Sequence, residues 1–286
     1  MIYYICLPVI YLLSLLPFPL LYLFSDFCCF ILYRVVGYRK KIVLQNLRNS
    51  FPQKNEKEIQ QICNEFYSYF CDLFLETFKT LTISKASMLK HCSFTPETVA
   101  LFRKLEAEGK SVVLVMGHKG NWEWAGNTFS LMCPQQLYVI YHPLRNKYFD
   151  GLMYKMRTHF GTKLIAMQDT FRDMVKFRSE TNATAFIADQ SPRRDNAQWV
   201  DFLNQDTPVF TGTERIAKKM GYPVVYVSVH KLKRGYYSVS AEVLIDDPKA
   251  MADGEITRIH TVRLEADIIH QPATWLWTHR RWKHKR

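Results

Sequence analysis

No charged residue occurs between Ile2 and Ser25, and no lysine or arginine precedes Arg34. A basic N-terminal region and a small-residue cleavage site are both missing, and bulky residues continue to Tyr33. That excludes an ordinary secretory signal peptide. A helix over 2–25 would span roughly 36 Å, against about 30 Å for a hydrocarbon core. Pro8, Pro17 and Pro19 argue against one straight span. The stretch is expected to be an uncleaved anchor, spanning or half-inserted, with a buried helical hairpin as the competing reading. Arg34, Arg39, Lys40 and Lys41 follow it. The positive-inside tendency then places the rest of the chain in the cytoplasm.

Other signatures are absent too. The seven cysteines are an odd number with no Cys-x-x-Cys pair, which speaks against a disulfide framework or a zinc site and for reduced thiols. There is no His-Glu-x-x-His, no P-loop and no Gly-x-Gly-x-x-Gly after a strand. The Gly-x-Ser-x-Gly elbow is missing. No internal repeat or low-complexity linker divides the chain, so the expected organisation is an anchor over 1–35 and one domain over 36–286.

What is present is basic, aromatic and long enough for a large core. The 286 residues carry a formal net charge of +12 and 14% aromatics, a balance that favours anionic partners. Helical spacing runs from Tyr38 to about Leu81. An N-cap signal stands at Asn55–Glu58, and an aromatic stripe through Phe66, Phe70, Phe74 and Phe78 reads as core. Beyond residue 110, strand-like runs at 111–116, 137–141, 163–167, 183–188 and 223–230 alternate with helical stretches at about 122–132, 146–160, 170–179 and 212–220. This predicts an α/β fold with a mostly parallel central sheet flanked by helices. Residues 236–245 read as a hairpin partner of 223–230, 253–270 as a last helix, and Thr211–Glu214 as a capping box.

One stretch concentrates reactive chemistry: an apolar strand, then Gly117-His-Lys-Gly-Asn-Trp-Glu123, then a helix. In α/β enzymes ligands sit outside the carboxyl ends of strands. Histidine is one of the few side chains that can gain and lose a proton near neutral pH, and Glu123 lies five residues after His118. Five helical residues turn through roughly 500°, so the two meet only if His118 sits in the turn. Such a histidine, oriented by a carboxylate, can deprotonate a hydroxyl attacking a carbonyl. Further strand ends carry Tyr141-His-Pro-Leu-Arg-Asn146 with Asp150 and Arg157, and Asp189-Gln190 with the basic loop Ser191-Pro-Arg-Arg194. Arg145 and Arg157 suit an anionic group, with a structural Asp150–Arg157 pair as the alternative; Asp189 could orient the site, pair with Arg157 or cap a turn. The tail from Trp275 interleaves tryptophan with basic residues, which suits an anionic membrane interface better than nucleic acid.

These pieces, in this order, resemble the late acyltransferases of lipid A biosynthesis, the lauroyl/myristoyl transferase family. The match includes Tyr38-Arg-Lys-Lys-Ile-Val-Leu-Gln-Asn-Leu-Arg48, Leu75-Glu-Thr-Phe-Lys79, the His118–Glu123 stretch, Tyr141–Asn146, Asp150, Arg157, Asp189-Gln190, Trp199-Val-Asp-Phe-Leu203 and Trp277-Thr-His-Arg-Arg-Trp-Lys283. The resemblance implies a fold similar to that of glycerolipid acyltransferases. It implies transfer of a fatty acyl chain from acyl carrier protein (or coenzyme A) to a hydroxyl of a lipid A precursor, at the cytoplasmic face of a bacterial inner membrane. By the family pattern His118 is the general base and Glu123 its partner. Arg157 and Asp189, with Asn121, Arg145 and Asp150, form the candidate set for binding, orienting or oxyanion stabilisation. The implied partners are the carrier protein, an anionic glycolipid and the membrane, not nucleic acid, and no metal or redox cofactor is required. The chain departs from the family at His142 and at Gln190-Ser-Pro-Arg193, which leaves acceptor and chain length open. The alternatives are a thioesterase or lipid esterase using the same dyad, a transferase acting on another membrane lipid, and a non-enzymatic anionic-lipid-binding module.

Overall fold

The computed structural model describes residues 2–192, 197–284 and 286. Two apolar helices come first, α1 (Ile2–Leu15) and α2 (Phe18–Cys29), the latter running on as a π-helix over Phe30–Val35. The break falls at Pro17, which lies just before α2. Next come α3 (Lys40–Ser50), α4 (Glu56–Lys79), α5 (Lys85–His91), β1 (Cys92–Phe94) and α6 (Pro96–Ala107). The alternating part contains β2 (Val112–Met116), α7 (Trp122–Met132), β3 (Gln136–Tyr141), α8 (Lys147–Arg157), β4 (Lys163–Ala166), α9 (Thr170–Lys176) and β5 (Asn182–Ile187). Then follow a hairpin of β6 (Ala197–Phe202) and β7 (Gln205–Phe210), α10 (Gly212–Met220), β8 (Val224–Lys233), β9 (Tyr236–Ile245) and α11 (Glu255–His270).

Seven strands form one sheet in the order β1-β9-β8-β2-β5-β3-β4. The block β8-β2-β5-β3-β4 is parallel throughout, and β9 pairs antiparallel with β8. The alternation read from the sequence is therefore present as a mostly parallel sheet. Successive side chains of a strand point to opposite faces, and β2 shows the consequence. Val113 and Val115 face a core built with α4, α11 and the buried Trp275 and Trp277. Val112, Leu114 and Met116 face a second core with α6 and α7.

Sequence expectations hold or fail for local reasons. The Asn55–Glu58 capping box is formed, with hydrogen bonds in both directions. The Thr211 box is not. Thr211 makes no side-chain cap, and Glu214 is buried, taking hydrogen bonds from Gly254 N (2.6 Å) and from Thr257 N and Oγ1. The tail is also corrected. Trp275, Trp277 and Arg281 are buried inside the domain rather than laid on a surface. Arg193 and Arg194 of the basic loop lie outside the described residues.

The N-terminal helices keep one apolar side outward, with Ile5, Leu12, Leu23 and Phe27 exposed. Phe18–Val35 is long and apolar enough, by length and composition, to cross a membrane. The other side is pinned by polar groups. Asp72 of α4, fully buried, accepts from Ser25 Oγ (2.7 Å) and from Arg234 Nη2 (2.7 Å) at the β8–β9 turn, and Arg234 also grips Asp26 (2.7 Å). Replacing Asp72 by alanine removes the buried half of this clasp, leaving Arg234 to Asp26, and should lower stability by about 2 kcal/mol. Urea unfolding in detergent, set beside the exposed-site control Glu56→Ala, measures it.

Candidate active site

His118 and Asp189 are brought together by strand register. In the parallel pair β2–β5, Val112 lies opposite Ala183 and Met116 opposite Ile187. The same offset of 71 residues, carried two positions past the strand ends, sets His118 beside Asp189. The carboxylate receives the His118 backbone N–H (2.7 Å), the His118 ring at Nδ1 (2.6 Å) and the Trp275 indole N–H (2.7 Å). With Nδ1–H donated to Asp189, the free lone pair is on Nε2. That nitrogen faces the Gln190 side-chain amide at 3.5 Å. The Trp122 ring stands edge-on to the imidazole.

Two glycines make the turn possible. Gly120 has φ +60°, and a Cβ there would lie 2.7 Å from Val229 O. At Gly117 a Cβ would meet a Leu264 methyl at 2.6 Å and Asp189 Oδ2 at 3.1 Å. Any side chain at 117 would thus push apart the groups that hold the histidine. Lys119 turns the other way, buried, and donates to Val229 O (3.1 Å); burial pulls its ammonium down to about 8.

Glu123 does not hydrogen-bond the His118 ring. The carboxylate partner expected at Glu123 is Asp189 instead. Glu123, on the first turn of α7, is held by Arg157 from the last turn of α8, through Nε (3.0 Å) and Nη2 (2.6 Å), and by the Trp122 indole (3.2 Å). Arg157 therefore pairs with neither Asp150 nor Asp189. Burial opposes ionisation of Glu123, but the Arg157 charge and hydrogen bonds outweigh it and hold the carboxyl below its ordinary value. At Asp189 burial is again opposed, by the His118 charge and by donors from His118 and Trp275, and the carboxyl is held down at about 2.

The other candidates separate. Asn121 is fully buried and caps α7, accepting from Trp124 N (2.9 Å) and donating to Glu76 (2.8 Å). Glu76, from the Leu75–Lys79 stretch, also accepts from Tyr22 (2.9 Å) and Tyr237 (2.8 Å). Asn121 thus sets the helix start and does not reach the cavity. Asp150 accepts from Leu144 N (2.8 Å), shaping the loop before α8. Arg145 is exposed on that loop. Two tail residues that sequence reasoning had placed on a surface belong here: Trp275, and Arg281, whose Nε and Nη1 are buried without a partner among the described residues. Trp277-Thr-His-Arg-Arg-Trp282 was legible as a block, but nothing in it announces burial.

His118, Glu123, Arg157, Asp150 and Gln190 line one cavity of about 630 Å³. Its walls are apolar, with Leu114 and Met116 of β2, Leu137 and Val139 of β3, Ala185 of β5 and Val227 of β8 on the sheet side. Gly126 and Phe129 of α7 and Phe94 of β1 complete it. An apolar slot with a few convergent polar groups at one end is the usual form of a site for an amphiphilic ligand. Among the described residues no group of three or more His, Cys, Asp or Glu is placed to hold a metal ion.

A protein-family model described as bacterial lipid A biosynthesis acyltransferase matches residues 1–284. No curated protein matches the chain.

Asp189 is ordinarily protonated near 3.8 and here near 2. Its ionised form therefore stabilises the fold above the ordinary value, and that contribution is lost as pH falls through about 2. The stability difference between wild type and Asp189→Asn should shrink by about 2 kcal/mol between about pH 5 and pH 2. Urea melts across that range read it.

Proposed function

Because this chain belongs to the bacterial lipid A biosynthesis acyltransferase family, we propose the following reaction. It moves a fatty acyl chain from an acyl carrier protein or coenzyme A thioester to a hydroxyl of a lipid A precursor, with His118 as general base. The observation that carries this reading is the imidazole fixed by Asp189 in the wall of a largely apolar cavity of about 630 Å³. A hydrocarbon chain laid there gains about 0.8 kcal/mol for each methylene taken out of water, and that places its carbonyl end beside Nε2.

The acceptor hydroxyl gives its proton to Nε2 while its oxygen bonds to the thioester carbonyl carbon. The tetrahedral intermediate collapses, the C–S bond breaks, and the thiolate leaves with the proton from His118. Asp189 keeps the ring in the productive tautomer and stabilises the imidazolium. The first N–H groups of α7 and the Arg157 guanidinium are the donors proposed for the oxyanion. Glu123 holds Arg157 in that position and adds negative charge near the imidazolium. No metal or redox cofactor takes part in these steps.

The exposed apolar side of α1 and α2 supports membrane attachment. On this reading residues 1–35 anchor the acyltransferase domain, 36–286, to the cytoplasmic face of the inner membrane. The glycerolipid-acyltransferase likeness of the fold is part of the same proposal. The net charge of +12 suits an acidic carrier protein and a phosphorylated glycolipid.

With a radiolabelled acyl donor and lipid A precursor, the label should appear in the lipid. His118→Ala should lower transfer by about 10³-fold, and Asp189→Asn by a similar factor. The double variant should be little worse than either, because the two act as a unit. Label released mainly as free fatty acid would identify a thioesterase instead, and full activity in His118→Ala would exclude the mechanism.

A further inference from the structure

Gly126 lies in the interior of α7, where glycine weakens a helix relative to alanine. Its surroundings give no packing reason for it. A Cβ built there meets Leu137 Cδ2 at 3.9 Å and nothing nearer, unlike the tight approaches at Gly117 and Gly120. Its conformation is helical, open to any residue. What the missing side chain leaves is space, and that space belongs to the cavity.

Glu123, Gly126 and Phe129 follow one another along the face of α7 that lines the cavity. At 1.5 Å per residue, Gly126 lies about 4.5 Å beyond Glu123 and about 4.5 Å short of Phe129. It thus lies on the cavity wall between Glu123 and Phe129. Opposite, Leu137 and Ala185 form the sheet side. A larger residue at 126 would project into the cavity and against Leu137 without disturbing the His118–Asp189 pair, which is held from β2, β5 and Trp275.

We propose that Gly126 determines the length of acyl chain the enzyme accepts, its missing side chain leaving cavity space beside Leu137 through which a long saturated chain reaches Phe129. This rests on the reading of the cavity as the acyl site and adds the residue that sets its selectivity. The glycine costs helix stability and returns chain capacity, so the two properties should move in opposite directions on substitution.

The test uses full-length protein with a graded series of saturated acyl thioesters, short to long. In Gly126→Leu the ratio of long-chain to short-chain transfer should fall at least about tenfold, since crowding by even a methylene discriminates on that scale. Gly126→Ala should fall between this and wild type, and should melt about 2 °C higher. An unchanged ratio in both variants overturns the proposal, and if Gly126→Leu does not fold, an unchanged ratio in Gly126→Ala does so alone. Calorimetric binding of free fatty acids of the same lengths separates this from failure of the proposed reaction. Loss of long-chain binding in Gly126→Leu supports the length gauge even if no donor is turned over, and an affinity ladder identical to wild type rejects it.

Discussion

The pairing of β2 with β5 is the constraint on which the site depends. Two neighbouring parallel strands end level, and each is extended by residues that point the same way. The histidine of one and the aspartate of the other then face across roughly one strand spacing. The carboxylate accepts three donors, one of them the backbone of the histidine it orients. Ring and main chain are gripped by the two oxygens of one carboxylate, so rotating the imidazole costs its hydrogen bond to Asp189. Gly117 follows from this, because a Cβ there would lie 3.1 Å from Asp189 Oδ2, whereas Gly120 is required by the close approach of Val229.

Around that pair the domain stacks buried charge in a consistent way. Glu123 is neutralised by Arg157 across α7 and α8 and Asp72 by Arg234, while Glu214 takes backbone and hydroxyl donors with Lys218 at 3.7 Å. Among the described residues Glu76 has no cation and takes three neutral donors, and burial pushes its carboxyl upward. Removing one partner of such a pair costs more than the pair contributes. These ties also choose which elements are neighbours. Through Tyr22 and Asn121, Glu76 connects α2 to the cap of α7, so the apolar N-terminal segment and the helix that carries Glu123 share one polar joint.

How much of this could be read from the chain follows from the range of each interaction. The strands and helices after residue 110 are set by local periodicity, and their order predicts the parallel sheet. The β6–β7 hairpin escaped notice because its turn uses Leu203 and Asn204 at positive φ rather than an Asn-Gly or Asp-Gly pair. The region 82–110 was not assigned, although Ser84 and Thr95 each cap a helix there through their side chains. His118 and Glu123 stood out because seven adjacent residues frame them. The carboxylate that holds His118 could not be found that way. Asp189 is 71 residues distant, and its choice is a matter of register, which a single strand does not encode. The buried tail failed for a related reason, since tryptophan next to arginine has the same composition on a membrane surface and inside a core.

The clasp of Arg234 on α2 also imposes a timetable. Asp26 and Arg234 are separated by 208 residues. At ordinary translation rates roughly 10–40 s pass between their syntheses. Through that interval the side of α2 destined for Asp72 and the β8–β9 turn has no completed counterpart, while its apolar side is already formed. Long-range closure of this kind comes late in folding. The young chain is therefore most adhesive before it is most ordered, and whatever apolar surface it meets first competes with its own unfinished sheet.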